Sequence, residues 1–457
     1  MANLRVDSAA RESNAESART LNILLTDTNR WAAPARLAIA LSEAGCHVSA
    51  VCRARHPLLK TRVVRRTFPY HGLRPLDSLA AAIEAAQPDL IIPCDDLGVQ
   101  HLHELHSLSK ASGSSVAALI ERSLGSPESY PIVSSRYDLL RIASEEGIPI
   151  PQTLRVDSVQ QAKSLFATHC SPWVLKADGT WGGSGVRFTE SAGQAGRSFL
   201  ELTSPPGAIE TLKLLATNRD RSWLLARSRR HHPAVIAQAC IHGRPANCAV
   251  LAWQGKVLAG IAVEVLSASG PKGPAIVVRL IEGSQMLWAA ERLAARLHLS
   301  GLFGLDFMIE EHTNATYLIE MNPRCTPLCH LQPGPERDLV GALWAQLAGQ
   351  PYKSPARYID NDLIAYFPQA WTTRSMFLDA SFQDVPHQDP ALKRELLNSW
   401  SDRSLLGRLI DEVRSMKGQT NFPAAHVFPE AVPPAKDQAE KHIVGEALAV
   451  GTSRQSN

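Results

Sequence analysis

The chain has 457 residues, with 47 Lys and Arg against 44 Asp and Glu, and eight Cys scattered without framework spacing. That length can bury a large core and exceeds one typical domain, so two or three lobes are expected. A formal charge of +3 argues against an electrostatic nucleic-acid binder, no run reaches membrane-spanning length, and the cysteine pattern suits reduced thiols in a cytoplasm.

Met1 to Thr20 is polar and lacks an apolar core, so it is expected to be disordered and not a secretory signal. Leu21 to Thr26 reads as a buried strand, and a helix follows from near Pro34 to Gly45. His47 to Cys52 is the next strand, Leu76 to Ala86 a helix, and Asp89 to Cys94 another strand. This alternation predicts a Rossmann-like parallel sheet with right-handed crossovers over residues 21–125. No Gly-x-Gly-x-x-Gly follows the first strand, so a dinucleotide site is not expected. Asp95 and Asp96 stand between a strand and a helix, where capping is the expected role. His101, His103 and His106 do not share one helix face, so they read as an exposed helix and not as a metal site. Ser134 to Leu140 opens a helix that ends at Gly147, before Ile148-Pro149-Ile150-Pro151.

Trp173 to Ala177 is an apolar strand that carries Lys176 toward a loop with four glycines in seven residues, Gly179 to Gly185. Glycines let backbone N–H groups approach phosphate oxygens, and the ammonium adds a point charge. Taken alone, such a loop is more often a plain turn. The basic stretch Arg227 to His232, preceded by Arg219 and Arg221, has no patterned aromatics and reads as solvated surface. A strand and turn at Ala234 to Arg244 are followed by a hairpin, Ala249 to Trp253 turning at Gln254-Gly255-Lys256 into Val257 to Leu266. Arg279, on a strand from Ala275 to Ile281, suits an anionic substrate or solvent equally.

Gly301 to Ile309 and Tyr317 to Asn322 read as two short strands joined by a polar turn. Asp306 and Glu320 interrupt these apolar runs, and burying two carboxylates together is costly unless a cation neutralises them. Asn322 follows Glu320 by two residues, on the same face of the strand. Together they are hard ligands suited to Mg²⁺, with a structural ion pair between Glu320 and Arg324 as the bland alternative. Cys325, Cys329 and His330 lack zinc spacing and are expected to support the site beside Arg324.

Lys176 with its glycine loop, then Asp306, then Glu320-x-Asn322-x-Arg324 resembles the ATP-grasp superfamily, which includes carboxylate–amine ligases and carbamoyl phosphate synthetase. The resemblance covers residues 20–350 and implies an α/β chain with a two-lobed ATP-grasp fold over 126–350 after the Rossmann-like domain. The lid lobe is expected over 152–232, and the hinge and metal-site lobe over 233–350. It implies ATP and Mg²⁺, with Mn²⁺ able to substitute. Phosphates would meet Arg136, Lys176, Gly182, Gly183, Ser184 and Gly185, and adenine the segment Gln238, Ala239, Cys240 and Ile241. The metal would sit on Asp306, Glu320 and Asn322, with Arg324 and Lys176 in the chemistry. The sequence departs from the family pattern at Ala239, where glutamate is usual, and at Pro245, where an acidic residue often follows Gly-Arg; the ribose partner is therefore unassigned.

The implied activity is an ADP-forming ligase that activates a small carboxylate as an acyl phosphate for attack by an amine. An ATP-dependent carboxylase or carbamoyl phosphate synthetase-like enzyme, and an ATP-binding regulatory protein without turnover, are the alternatives. Neither nucleic acid nor membrane is an expected partner; a homodimer is an open expectation. Beyond the resemblance, 351–445 is expected to be an extension with a strand at Asp362 to Pro368 and helices at Ala391 to Trp400 and Leu405 to Met416, and 446–457 a disordered tail.

Overall fold

A computed structural model describes residues 20–168, 172–180, 185–204, 233–270, 273–355 and 358–398. The helix expected over Leu405 to Met416, the basic residues Arg219, Arg221 and Arg227 to His232, and both chain ends lie outside the described residues.

The first strand, β1 (Asn22–Asp27), is buried along almost its whole length because it is covered on both faces. Helix α1 (Ala33–Glu43) starts at a proline and returns the chain to β2 (His47–Cys52). An extended segment that the sequence reading missed, β3 (Val64–Pro69), comes next, then α2 (Pro75–Ala86) and β4 (Leu90–Pro93). All pairings are parallel, in the order β3-β2-β1-β4, so β1 and β4 meet where the strand order reverses. Helix α3 (Asp96–Ala111) leaves β4, followed by α4 (Ser115–Leu124), α5 (Tyr130–Val133) and α6 (Arg136–Glu145).

A second sheet is built from β5 (Thr153–Val156), β6 (Trp173–Ala177), β7 (Val186–Thr189) and β8 (Val235–Ala239), in the antiparallel order β5-β8-β6-β7. Helices α7 (Val159–Thr168) and α8 (Ala192–Thr203) bury Leu165 and Phe199 together with Trp173 and Leu175 of β6 in a core of their own.

The third sheet holds seven strands. They are β9 (Gly243–Trp253), β10 (Lys256–Ala268), β11 (Ala275–Ile281), β12 (Gly301–Glu310), β13 (Thr316–Asn322), β14 (Leu363–Tyr366) and β15 (Phe382–Asp384). Their order is β13-β12-β9-β10-β11-β14-β15. Gly243 begins β9 because a Cβ there would stand 2.0 Å from the Ile309 carbonyl of β12. Helix α9 (Ser284–Leu297) lies on one face with α6, burying Met286, Leu293 and Leu139 against Phe303 and Phe307. The other face shares a core with the N-terminal sheet, α10 (Leu339–Ala348) and the late residues Ile364, Tyr366 and Leu392. The segment after residue 350 thus completes the sheet and its core. Asp384 of β15 is 3% exposed and joins Arg36 of α1 to His330, whose Nε2 lies 2.9 Å away. The Arg36 guanidinium, the His330 ring and their hydrogen bonds outweigh the desolvation of its carboxylate and hold it down at about 2.

Among the described residues no helix is long and apolar enough to cross a membrane.

Candidate active site

Register assembles the acidic centre. Asn247 of β9 lies opposite Asp306 of β12, which lies opposite Glu320 of β13, so three strands contribute one row of polar side chains. Both oxygens of Asp306 accept from amides, Oδ1 from Asn247 Nδ2 at 2.6 Å and Oδ2 from Asn322 Nδ2 at 3.1 Å. Burial and the neighbouring Glu320 push Asp306 above the ordinary carboxylate range despite those bonds. Asn322 Oδ1 accepts from Arg324 Nη2 at 2.9 Å, and Arg324 Nε donates to Asp96 Oδ2 at 3.0 Å. The ring of Trp31 stands 5.3 Å from the Arg324 guanidinium carbon. Asp96 therefore does more than open α3: it anchors Arg324 from the N-terminal domain. Asp95 is the cap, accepting from Gly98 N at 2.6 Å.

Glu320 is paired, but with Arg136 and not with Arg324. Arg136 Nη2 and Nε lie 2.7 and 3.2 Å from Glu320 Oε1. The same guanidinium donates to the carbonyls of Ala177 at 2.6 Å and Thr180 at 2.9 Å, so one side chain ties the start of α6, the exit of β6 and the acidic strand together. Burial disfavours the Arg136 cation, yet Glu320, Asp178 and Asp96 outweigh it and raise its pKa. Burial likewise works against the Glu320 anion, and Arg136 and Lys176 outweigh that, so Glu320 sits below its usual range. The two acidic residues are thus electrostatically unlike.

Lys176 is 6% exposed, and its Nζ donates to the Ile319 carbonyl at 3.3 Å, the same carbonyl that Gln238 Nε2 reaches at 3.3 Å. Desolvation lowers the Lys176 pKa, with Glu320 pulling the other way. Its partner strand places Val174 beside Gln238, which brings both side chains over β13. Gly185 closes the glycine loop where a Cβ would fall 1.9 Å from Thr180 Oγ1, so the position excludes any larger residue. Gly182, Gly183 and Ser184 lie outside the described residues.

The hinge differs in part from expectation. The amides of Ala239 and Cys240 donate to the carbonyls of Gln152 at 2.9 Å and Pro172 at 3.0 Å. Those two N–H groups serve the fold, so an adenine edge there would depend on the carbonyls and on Ile241. Met308 shares a face with Asp306, two residues along β12.

Other expectations are corrected by burial. Helix α3 is not exposed along its histidines: His106 is 3% exposed and bonds Glu121 at 2.8 Å, while His103 stacks on Tyr130 at 3.9 Å. Arg279 donates to Glu264 at 2.9 Å, and Arg244 reaches the same carboxylate at 3.2 Å, so Arg279 is neither solvated alone nor turned to the acidic row. Cys325 and Cys329 are buried beside Arg324 as expected, with Cys325 N on the Pro93 carbonyl at 3.0 Å.

Among the described residues no three His, Cys, Asp or Glu side chains converge as a closed metal cage. Two carboxylates in register, one of them carrying the cost of the other's charge, nevertheless suit a hard cation that keeps water and shares oxygens with a phosphate. A shallow cleft opens at this centre, lined by Asp96, Gln100, Arg136, Thr180 and Glu320.

A family model described as the ATP-grasp domain matches residues 221–327. No curated protein matches the chain in sequence. Among solved structures, N5-carboxyaminoimidazole synthase from Aspergillus clavatus, with ADP and 5-aminoimidazole ribonucleotide, is 11% identical, with 75% of this chain and 80% of that chain covered and a TM-score of 0.53. The biotin carboxylase domain of Hydrogenobacter thermophilus 2-oxoglutarate carboxylase, with MgADP and bicarbonate, is 15% identical over 74% and 71% of the two chains, TM-score 0.51. Biotin carboxylase from Campylobacter jejuni is 17% identical over 73% and 72%, TM-score 0.51. At these identities the likeness concerns the fold.

Proposed function

We propose that this ATP-grasp protein is an ATP- and Mg²⁺-dependent ligase that activates a carboxylate as an acyl phosphate and joins it to an amine. The observation that carries the reading is the in-register pair Asp306 and Glu320, with Lys176 reaching the same strand from the opposing sheet. Asp306, Glu320 and Asn322 are the residues that would hold Mg²⁺, which supplies charge neutralisation on the phosphates when bound. Lys176 and Arg136 stand where phosphate oxygens need cations, and a guanidinium fork suits them. Arg324, fixed from three sides by Asp96, Asn322 and Trp31, is preorganised to meet the substrate carboxylate or the transferred phosphoryl group without a reorganisation cost. The acyl phosphate is required because a free carboxylate is a poor electrophile. The residues contribute position and charge, and the covalent chemistry belongs to the substrates.

Carboxylation is the second reading, favoured by the two biotin carboxylase fold matches. Incubation with Mg·ATP and a library of acids and amines, followed by phosphorus NMR, tests both. The ligase should release ADP and phosphate only when an acid and an amine are supplied together. AMP and pyrophosphate as products would overturn the acyl-phosphate reading, and strict bicarbonate dependence would favour the carboxylase.

A further inference from the structure

We propose that Arg136 is an internal competitor of the divalent cation for Glu320. It gives the carboxylate up when phosphate oxygens take the guanidinium, so the cation site opens together with nucleotide binding. The inference rests on the ligase reading above and names a regulation of that same site. Three cations surround the acidic row, and two are committed to other partners. Lys176 Nζ donates to the Ile319 carbonyl, and Arg324 donates to Asp96 and Asn322. Among the described residues, Arg136 is the cation in direct contact with a carboxylate of the Asp306 and Glu320 pair.

The grip on Glu320 is one-sided. Arg136 Nη2 and Nε both donate to Oε1, at 2.7 and 3.2 Å, and no donor reaches Oε2 among the described residues. A cation arriving at Oε2 would face a positive charge held across the same carboxylate, in a place where water screens it poorly. The guanidinium has anchors besides Glu320. It donates to the carbonyls of Ala177 and Thr180, the Arg136 main-chain N–H reaches Asp178 Oδ1 at 3.3 Å, and that oxygen stands 3.5 Å from Nη1. These contacts keep it at the exit of β6, the strand that carries Lys176, so the bond to Glu320 is the one an anionic ligand can replace. A phosphate oxygen offers the same charge and accepts the same planar fork. Exchange of partners then leaves every charge answered, Arg136 by phosphate and Glu320 by the cation. Either ligand alone would strand one member of the pair in a site where Arg136 is 15% and Glu320 23% exposed. Linkage makes the effect reciprocal: whatever draws Arg136 off Glu320 raises its affinity for a cation, and whatever occupies Glu320 frees Arg136 for an anion.

The test uses the full chain and measures cation and nucleotide separately, without turnover. Mn²⁺ binding in the absence of nucleotide is followed by the electron paramagnetic resonance of the free ion, and AMP-PNP binding in EDTA by calorimetry. Arg136→Met should bind Mn²⁺ roughly tenfold or more tighter than wild type, and AMP-PNP roughly tenfold or more weaker. Glu320→Gln should show the mirror image, with Mn²⁺ weaker and metal-free AMP-PNP several-fold tighter, because Arg136 then has no carboxylate to leave. Adding Glu320→Gln to Arg136→Met should abolish the gain in Mn²⁺ affinity. Thermal melts in EDTA report folding, and Arg136→Lys, which keeps the charge without the fork, should fall between wild type and Arg136→Met on both scales. An arginine with a purely structural role predicts losses for both ligands and gains for neither. That outcome would overturn the proposal, as would affinities unmoved in both single variants. Failure of Mn²⁺ or of AMP-PNP to bind any of these proteins would instead overturn the metal or nucleotide reading on which the exchange rests.

Discussion

Replacing the two acidic residues one at a time should have opposite effects on the stability of the metal-free protein. Glu320 is 23% exposed and Arg136 15%, and their contact at 2.7 Å is backed by a second at 3.2 Å. A charge-assisted bond of this kind contributes roughly 1.5–3 kcal/mol. Asp178, 3.5 Å from Arg136, takes up part of the loss, so Glu320→Gln should cost about 2 kcal/mol. Asp306 carries the reverse sign. Its folded pKa is raised by burial and by Glu320, so its charge is a burden at neutral pH, and Asp306→Asn should leave stability unchanged or slightly higher. Glu320 has a depressed folded pKa, so its contribution is complete above the ordinary carboxylate range and fades as pH falls through it. Urea unfolding at pH 7.5 with a chelator and no nucleotide measures both. The reasoning fails if Glu320→Gln is as stable as wild type, or if Asp306→Asn loses as much. With Mg·ATP and substrates both variants should lose turnover, because removing either charge would weaken the proposed cation site.

Lys176→Ala should weaken Mg·ATP binding roughly ten- to a hundredfold, the equivalent of losing one sheltered charged contact of about 1.5–3 kcal/mol, and titration calorimetry reads it directly. An unchanged Kd would remove Lys176 from the proposed phosphate site. Asp384→Asn should destabilise the protein at pH 7 by about 2 kcal/mol, since the folded carboxylate is held at about 2 against an ordinary 3.8. Because that pKa is depressed, the gap between wild type and variant should be full above pH ~4 and close as pH falls toward ~2. A gap independent of pH across that window would mean that packing, not charge, is what the substitution removes.

The sequence displayed its acidic row because Asp306 and Glu320 stand inside apolar strands, where a lone carboxylate is conspicuous. Arg136 was reached only through the family resemblance, from its place in the helix before the Ile148-Pro149 turn, and its bond to Glu320 was not foreseen. Asn247 was not, since an asparagine in a strand carries no signal until register sets it against Asp306, 59 residues away. Asp96 was misjudged because a helix-opening aspartate and an arginine anchor look the same in one dimension. The histidines of α3 read as surface because they do not share one helix face, and tertiary packing buries His106 against Tyr130 and Glu121 and half-buries His103 on Tyr130 instead. The hinge amides illustrate the same limit: which backbone donors remain for a ligand depends on neighbours such as Gln152 and Pro172 that arrive from another strand or loop.

The contact between Arg36 and Asp384 spans 348 residues, so the first helix of the chain is fastened by one of its late strands. At roughly 5–20 residues per second a ribosome needs on the order of twenty to seventy seconds to cover that interval. For that time α1 can pack on β1 and β2, but its arginine has no anion to answer it, and the edge of β11 lies open where β14 will pair. The nascent protein therefore presents a half-finished sheet edge during the period when aggregation competes with folding. A ribosome stalled, or a chain cut, anywhere before residue 384 should yield a species that chaperones hold for longer than the complete protein.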